Sequence, residues 1–246
     1  MANLTALSVS HHPLAIAANR ARVLDRVLEV LAPTRCAGCE RYGPLWCDRC
    51  ANDLTRGYDP TLACPRCAAP FGYLLCTECQ HLDWDIVATV ALGPLDGQLA
   101  RAVVLHKDQN EQRLGGVLGL MLGQRVVLRW PDWRPDLVTW VPPTDRALAR
   151  RGFDHGGSLA RALASAVGAP CAPSLTRGDA ADLRGLNLAE RHRAAGTALR
   201  PIGSIGGRIL LVDDVLTSGS TAAACAATLA TAGAAEVRLA VVARAW

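Results

Sequence analysis

Four C-x2-C pairs occupy the first third of the chain and account for eight of its ten cysteines. They are Cys36/Cys39, Cys47/Cys50, Cys64/Cys67 and Cys76/Cys79. Two residues between a pair of thiolates allow one tight turn to direct both sulfurs at a tetrahedral ion, and two such turns complete a closed four-sulfur zinc site. The sequence therefore predicts two structural Zn²⁺ ions in this region.

The spacers between the pairs favour one arrangement of the ligands. Seven residues separate the first two pairs, thirteen the middle two and eight the last two. Since each short spacer can form a small hairpin, we expect sequential sites formed by 36/39/47/50 and 64/67/76/79; interleaved pairing stays open, and His81 is an alternative ligand. Disulfide bonds and a redox role are further alternatives. They are disfavoured because the chain shows no secretory signal, the cytosol keeps thiols reduced, and redox C-x2-C motifs rarely occur four in a row.

The composition predicts a globular protein with one sizeable core and a smaller appendage, because the 246 residues are 50% hydrophobic and 20% charged. No apolar run approaches the roughly 18 residues needed to cross a bilayer, so we expect a cytoplasmic protein without a membrane span. The net charge of +4 and a pI of about 8.6 permit phosphate-bearing partners. They do not indicate a dedicated nucleic-acid binder.

The apolar pattern divides the chain into three predicted segments. Residues 1–32 comprise a loose start and an amphipathic helix over 19–32, residues 33–82 form a double zinc-ribbon domain, and residues 83–246 form the main domain. Apolar runs alternate with helical stretches in the last segment, which predicts an α/β fold with a mainly parallel sheet flanked by helices. We expect strands over 86–92, 137–141, 209–212 and 237–243, and helices over 95–106, 113–127, 156–167 and 220–232.

Paired acids follow one of the predicted strands directly. Asp213 and Asp214 come after the apolar run 209–212, and the small and hydroxyl residues 217–221 then lead into a helix. Ligands of parallel sheets bind beyond the carboxyl ends of the strands, and a loop entering a helix offers several backbone N–H groups to an anion. Carboxylates can accept hydrogen bonds from a diol while the loop holds a phosphate. The pattern therefore predicts a sugar phosphate site rather than an ordinary capped helix.

Three quoted segments then identify a family resemblance. The segment "LLVDDVLTSGST" resembles the 5-phosphoribosyl 1-pyrophosphate (PRPP) signature of type I phosphoribosyltransferases. Together with the cysteine pairs, "VPPTDRALARRGFDHG" from Val141 and "GLNLAERHRAAG" from Gly185, it makes the chain resemble the ComF family over roughly residues 20 to 244. Members of this family join a double zinc ribbon to a phosphoribosyltransferase-like domain and are associated with natural competence.

The resemblance implies roles for individual residues. Asp213 and Asp214 would bind the ribose hydroxyls and Mg²⁺ at the catalytic centre, and Pro142 would shape a loop for pyrophosphate. The 5-phosphate would be held by Thr217, Ser218, Gly219, Ser220 and Thr221. Positive charge near the pyrophosphate would come from Lys107, Arg146, Arg150 and Arg151.

The chain also departs from the family pattern. Many members read "RGFNQ" where this chain has Asp154 and His155 after Phe153, and polar residues near the second motif are replaced by Leu183 and Ala194. These changes concern the acceptor side of the predicted site and leave the phosphate loop intact. His106 and His155 are candidate acid or base groups, whereas Cys171 and Cys225 receive no chemical role.

The sequence leaves three functions open. The first is an enzyme that transfers phosphoribose from PRPP to an unidentified nitrogen acceptor, and the second is a module that senses PRPP without turnover. The third is a zinc-ribbon adaptor that handles single-stranded DNA in DNA uptake, with a competence helicase as partner. The third rests on basic residues of the ribbons such as Arg49 and Arg66, among which several acids also lie.

Overall fold

The computed structural model describes residues 33–70, 74–80, 84–178 and 199–245. The predicted helix over 19–32, His81 and the motif that begins at Gly185 lie outside these residues. No helix of the described ranges is long and apolar enough to cross a membrane.

A four-stranded parallel sheet forms the centre of the main domain. Its strands are β1 (Ile86–Pro94), β2 (Leu137–Trp140), β5 (Arg208–Leu216) and β6 (Glu236–Arg244), in the order β1-β6-β5-β2. The two central strands are nearly continuous apolar runs because both of their faces are buried. This arrangement confirms the predicted parallel sheet, with each strand within a few residues of its expected position.

Helices cover both faces of this sheet, as the sequence predicts. One face is covered by α3 (Gly97–Asp108), α4 (Arg113–Arg129) and α6 (His155–Val167), and the other by α7 (Ser220–Thr231). Two further helices, α1 (Asp48–Gly57) and α2 (Thr77–Gln80), belong to the cysteine-rich region.

Helices α4 and α6 approach each other closely because α4 presents glycines to α6. A Cβ atom at Gly119 would lie 2.5 Å from the carbonyl oxygen of Leu159, and one at Gly123 would lie 2.5 Å from Cβ of Ala166. Larger side chains at these positions would push the helices apart. The close packing fixes α6, whose first residues face the candidate site.

The two cysteine-rich ribbons pack on opposite faces of the sheet, beside the edge strand β1. Cys36 and Cys50 of the first ribbon join the core under α4 and α6, whereas Cys64 and Cys79 of the second join the core under α7. Residues of the second ribbon also pair with the edge of β1. There Thr89 donates its N–H to the carbonyl of Pro65 at 3.0 Å and its hydroxyl to the carbonyl of Arg66 at 2.6 Å.

Besides α1 and α2 of the cysteine-rich region, two features of the main domain were absent from the predicted elements. Helix α5 (Asp145–Arg151) follows Pro142 and Pro143 directly, so the three predicted arginines of this segment lie on a helix. A small antiparallel hairpin forms from β3 (Leu175–Arg177) and β4 (Leu199–Pro201). Its strands are too short to carry a recognisable alternation of apolar and polar residues.

Candidate functional site

The eight paired cysteines form two four-sulfur clusters. These are Cys36/Cys39/Cys47/Cys50 and Cys64/Cys67/Cys76/Cys79, with all Sγ atoms of a cluster within 4.8 Å of one another. Sequential pairing is therefore confirmed. Measured Sγ···Sγ separations of 3.6 Å and 3.7 Å match the edge of a tetrahedron with Zn–S bonds of about 2.3 Å, and they are far longer than the roughly 2.05 Å of a disulfide. Both clusters fit Zn²⁺.

Backbone N–H groups stabilise the thiolate form in each cluster. Cys47 donates to Sγ of Cys36 and Cys76 donates to Sγ of Cys64, both at 3.4 Å. Burial alone would raise the pKa of the two acceptor thiols, but backbone N–H groups, those of Cys39 and Cys47 at Cys36 and that of Cys76 at Cys64, lower the pKa of Cys36 to about 6 and that of Cys64 to about 7. Since the thiolate is the form that binds zinc, the backbone favours one metal-binding thiolate in each cluster, whereas burial and neighbouring thiols raise the pKa of Cys50 and Cys79.

A cavity of about 310 Å³ opens beyond the carboxyl ends of β2 and β5. It brings together most of the predicted site residues: Lys107, Pro142, Arg151, Asp213, Asp214, Thr217, Ser218, Gly219, Ser220 and Thr221. Arg146 and Arg150 are exposed on α5 and are not part of the cavity wall. Their predicted role near pyrophosphate stays a prediction.

The two acids of this cavity differ in their electrostatic environment. Asp214 is buried, and its Oδ2 lies 2.7 Å from Nζ of Lys107 and 3.5 Å from Nε2 of His155. Burial alone would raise the pKa of Asp214, but these two partners hold it well below the usual carboxyl range. Burial and the neighbouring charge of Asp214 raise the pKa of Asp213. Asp214 therefore carries the stable negative charge of the pair.

His155 lies between Arg151 and Asp214. Its Nδ1 is 3.4 Å from Nη1 of Arg151, which can only donate a hydrogen bond, so Nδ1 is the acceptor and Nε2 carries the proton facing Asp214. The preceding Asp154 has a structural role, because it accepts hydrogen bonds from Nε1 of Trp140 at 2.7 Å and from N–H of Gly157 at 2.9 Å. Asp154 thus caps α6, and His155 contacts Asp214. These are the acid and the imidazole that stand where many members of the similar family have an amide pair.

The loop 217–221 turns at Gly219 before α7 begins. Gly219 adopts a φ of +78°, and a Cβ atom there would lie 2.8 Å from the ring of Trp84, so glycine is required both for the turn and for the close approach. Helix α7 begins directly after it, at Ser220. Within the described ranges, the backbone N–H groups of Thr217, Ser218 and Gly219 form no hydrogen bond. They are available to a ligand.

Two arginines near this loop were not found from the sequence. Arg177 of β3 lines the cavity, and its Nε has no hydrogen-bond partner among the described residues. Arg244 is buried behind the loop at the end of β6. No local pattern marks either residue, because each reaches the site only through the fold.

The remaining candidate His106 lies elsewhere, as does Cys225, for which the sequence predicts no chemical role. His106 is buried between Glu111, whose carbonyl is 3.1 Å from its Nδ1, and Ser158, whose Oγ is 3.2 Å from its Nε2. It does not line the cavity, and its contacts join α3 to α6. Cys225 is fully buried within α7, where burial raises its pKa to about 12.

Two sequence comparisons match this chain to known proteins. Residues 147–245 match the phosphoribosyl transferase domain family. The DNA utilization protein YhgH of Salmonella typhi is 30% identical over 188 residues, which cover 72% of this chain and 81% of that protein. This match includes more than two thirds of the relative.

Two solved structures share a shorter region with the chain. The glutamine PRPP amidotransferase of B. subtilis with ADP and GMP is 26% identical over 51% of this chain, at a TM-score of 0.38. A structure described as the allosteric regulatory enzyme of purine biosynthesis is 27% identical over 52% of this chain, also at a TM-score of 0.38. The matched region spans 25% of each of those chains.

The sequence relative and the domain match agree with the architecture. Two four-cysteine clusters precede a parallel sheet whose last strands and the loop 217–221 lie in the matched domain. This chain therefore belongs to the ComF family, in which a double zinc ribbon is joined to a type I phosphoribosyltransferase-like domain.

Proposed function

We propose that this protein binds PRPP together with Mg²⁺ and transfers its phosphoribosyl group to a nitrogen acceptor. The observation that carries the proposal is the position of the Asp213 and Asp214 carboxylates beside a loop in which the N–H groups of residues 217–219 are available. The loop 217–221 offers donors for the 5-phosphate, and the carboxylates offer acceptors for the ribose hydroxyls. One cavity thus provides for both ends of a sugar phosphate.

Positive side chains on the same cavity suit the leaving pyrophosphate. Lys107, Arg151 and Arg177 all line it, and Lys107 is the nearest cation to the acidic pair. Fixed cations stabilise a leaving group most effectively when they are already in place before its charge develops. The acceptor nitrogen would replace pyrophosphate at C1, and the three cations would stabilise the departing charge.

Mg²⁺ fits the oxygen donors of this site. Carboxylate oxygens of Asp213 and Asp214 are the ligands that Mg²⁺ prefers, usually alongside substrate phosphates and water. When bound, the ion would supply further neutralisation of the pyrophosphate charge. The zinc ions would have a structural role, since all four positions of each cluster are filled by sulfur.

A titration tests this assignment. Isothermal calorimetry of the protein with PRPP and Mg²⁺ should show binding, and the double substitution Asp213→Asn with Asp214→Asn should abolish it by removing both carboxylate acceptors. Asp136→Asn is a matched control, because this exposed acid pairs with Arg208 outside the cavity and its loss should leave binding unchanged. Equal binding by the wild type and the double variant would refute the assignment. A second experiment incubates the protein with PRPP, Mg²⁺ and a panel of bases and measures pyrophosphate. Release of pyrophosphate with one base indicates transfer, whereas PRPP binding without release indicates a sensor.

DNA handling is a second candidate, favoured by the name of the Salmonella relative and by an exposed aromatic side chain on the first ribbon. Tyr42 is 64% exposed, and Cζ of Arg35 lies 4.2 Å from the centre of its ring. Aromatic rings beside arginines are common stacking surfaces for single-stranded nucleic acid. In this function the protein would act in the cytoplasm with a helicase partner, where reducing conditions keep the eight thiols available for zinc.

A gel shift with single-stranded oligonucleotide tests the second candidate. Tyr42→Ala should weaken binding by about 1–3 kcal/mol if bases stack on this ring. Leu128→Ala is a control with comparable exposure, on α4. An unchanged shift with Tyr42→Ala would remove the first ribbon from the interface, and no binding at low salt would remove the function.

A further inference from the structure

Arg244 contacts the phosphate loop from the side opposite the candidate site. Its side chain lies at the end of β6, is only 6% exposed, and donates from Nη1 to the carbonyl oxygens of Leu216 at 3.1 Å and Thr217 at 2.8 Å. The Leu216 carbonyl also accepts the N–H of Ala245 at 2.9 Å, as part of the strand pairing. The bond to Thr217 lies beyond the strand and therefore acts on the loop itself.

These bonds decide which way the loop's N–H groups point. In a trans peptide unit the C=O and the N–H point in opposite directions. When Arg244 holds the carbonyls of Leu216 and Thr217, the N–H groups of Thr217 and Ser218 are turned away from it. Because both of these residues line the cavity that contains the acids, their N–H groups are directed to its side of the loop.

The charge of Arg244 is uncompensated by any described acid. Among the described residues no carboxylate lies within ion-pair distance of its guanidinium, and its Nε has no hydrogen-bond partner. A buried cation without a partner is costly for the fold unless an anion lies nearby. Glu78 and Cys76 of the second ribbon line the same groove as Arg244 without an ion pair to it, and the far side of the loop, where the sugar phosphate would bind, offers a place for an anion.

We infer that Arg244 is a positioning residue for the 5-phosphate, which turns two backbone N–H groups toward the ligand and adds a fixed positive charge behind them. The inference rests on the proposed binding of a sugar phosphate in this cavity. Thr217 and Ser218 separate the cavity from a second space. On the side of Arg244 and the second ribbon, the same two residues line a groove of about 820 Å³. The guanidinium thus acts through the loop and touches no substrate.

The test compares three substitutions at this position with a control on the same strand. Ribose 5-phosphate is titrated into full-length, zinc-loaded protein, and the same samples are examined by ³¹P NMR with saturating PRPP and Mg²⁺. We expect Arg244→Met and Arg244→Gln to weaken ribose 5-phosphate at least tenfold, and Arg244→Lys, which keeps the charge, to weaken it about threefold. In the NMR spectrum the 5-phosphate resonance should move, while the two pyrophosphate resonances stay near their wild-type positions.

Arg238→Met is the matched control. Arg238 lies on β6 as well, but it pairs with Glu236 and packs over Trp133, far from the loop, so its loss should change neither readout. If Arg244→Met does not fold, Arg244→Gln decides, because its amide can still occupy the buried position. If the wild type binds ribose 5-phosphate and the folded Arg244→Gln variant binds it with an affinity within twofold of the wild type, this inference alone is overturned. Absence of ribose 5-phosphate and PRPP binding in the wild type would overturn the proposed function with it.

Discussion

At the scale of single residues, the ion pair between Lys107 and Asp214 links the electrostatics of the site to stability. Asp214 is 6% exposed and Lys107 is 30% exposed, so the carboxylate is almost completely removed from water while its partner remains partly solvated. Removing one member of a buried pair leaves an uncompensated charge, which costs more than losing a surface pair. His155 is the second group facing the same oxygen.

We predict that Lys107→Met lowers the free energy of unfolding by about 2 kcal/mol at neutral pH, less than for a fully buried pair because Lys107 is partly exposed. The pKa of Asp214 is lower in the folded protein than in the unfolded chain, so the pair stabilises the fold above about pH 4 and this contribution is lost as the pH falls. Urea denaturation at pH 7 and pH 3 checks both statements. Adding Asp214→Asn to Lys107→Met should recover much of the loss, and a larger loss in the double variant would contradict the argument.

Some residues of the candidate site can be predicted from the sequence and others cannot. Asp213, Asp214 and the loop 217–221 are predictable because strand, acids and loop are contiguous, so one local pattern contains their whole geometry. Arg177 and Arg244 are separated from that pattern and reach it through the β3–β4 hairpin and the last strand. Their side chains have no local signal, because long-range packing alone brings them to the loop.

At the scale of elements, burial explains which strands and helices were predictable. The central strands of a parallel sheet are apolar on both faces, and α4 and α6 are long enough to show a helical pattern, so all were predicted within a few residues. Helix α5 was missed because it has seven residues, none of them buried, and follows two prolines. The hydroxyl oxygen of Thr144, the residue before α5, caps the helix by accepting the N–H of Ala147 at 3.2 Å. In a sequence, a threonine after two prolines is equally typical of a turn.

At the scale of the whole molecule, the two ribbons and the sheet share one hydrophobic interior. The ribbon cysteines take part in both core clusters, and Arg66 of the second ribbon donates to the carbonyl of Trp84 at 3.2 Å, next to the ring that faces Gly219. The second four-cysteine cluster is thus connected to the loop 217–221 by a short series of direct contacts. The predicted boundary near residue 82 divides the sequence, but packing continues across it.

The pairing of Thr89 with Pro65 and Arg66 has a consequence for solubility. Strand β1 ends the sheet, and an uncovered outer edge is a template on which a second molecule can add its own strand. The second ribbon shields part of that edge, and a Zn²⁺ ion held by its four cysteines would keep the ribbon folded. We therefore expect a strong chelator to convert monodisperse protein into assemblies that grow with concentration, as measured by light scattering, and prompt zinc addition to prevent this. Particle size that stays constant after complete metal removal would show that the edge is protected without the ion.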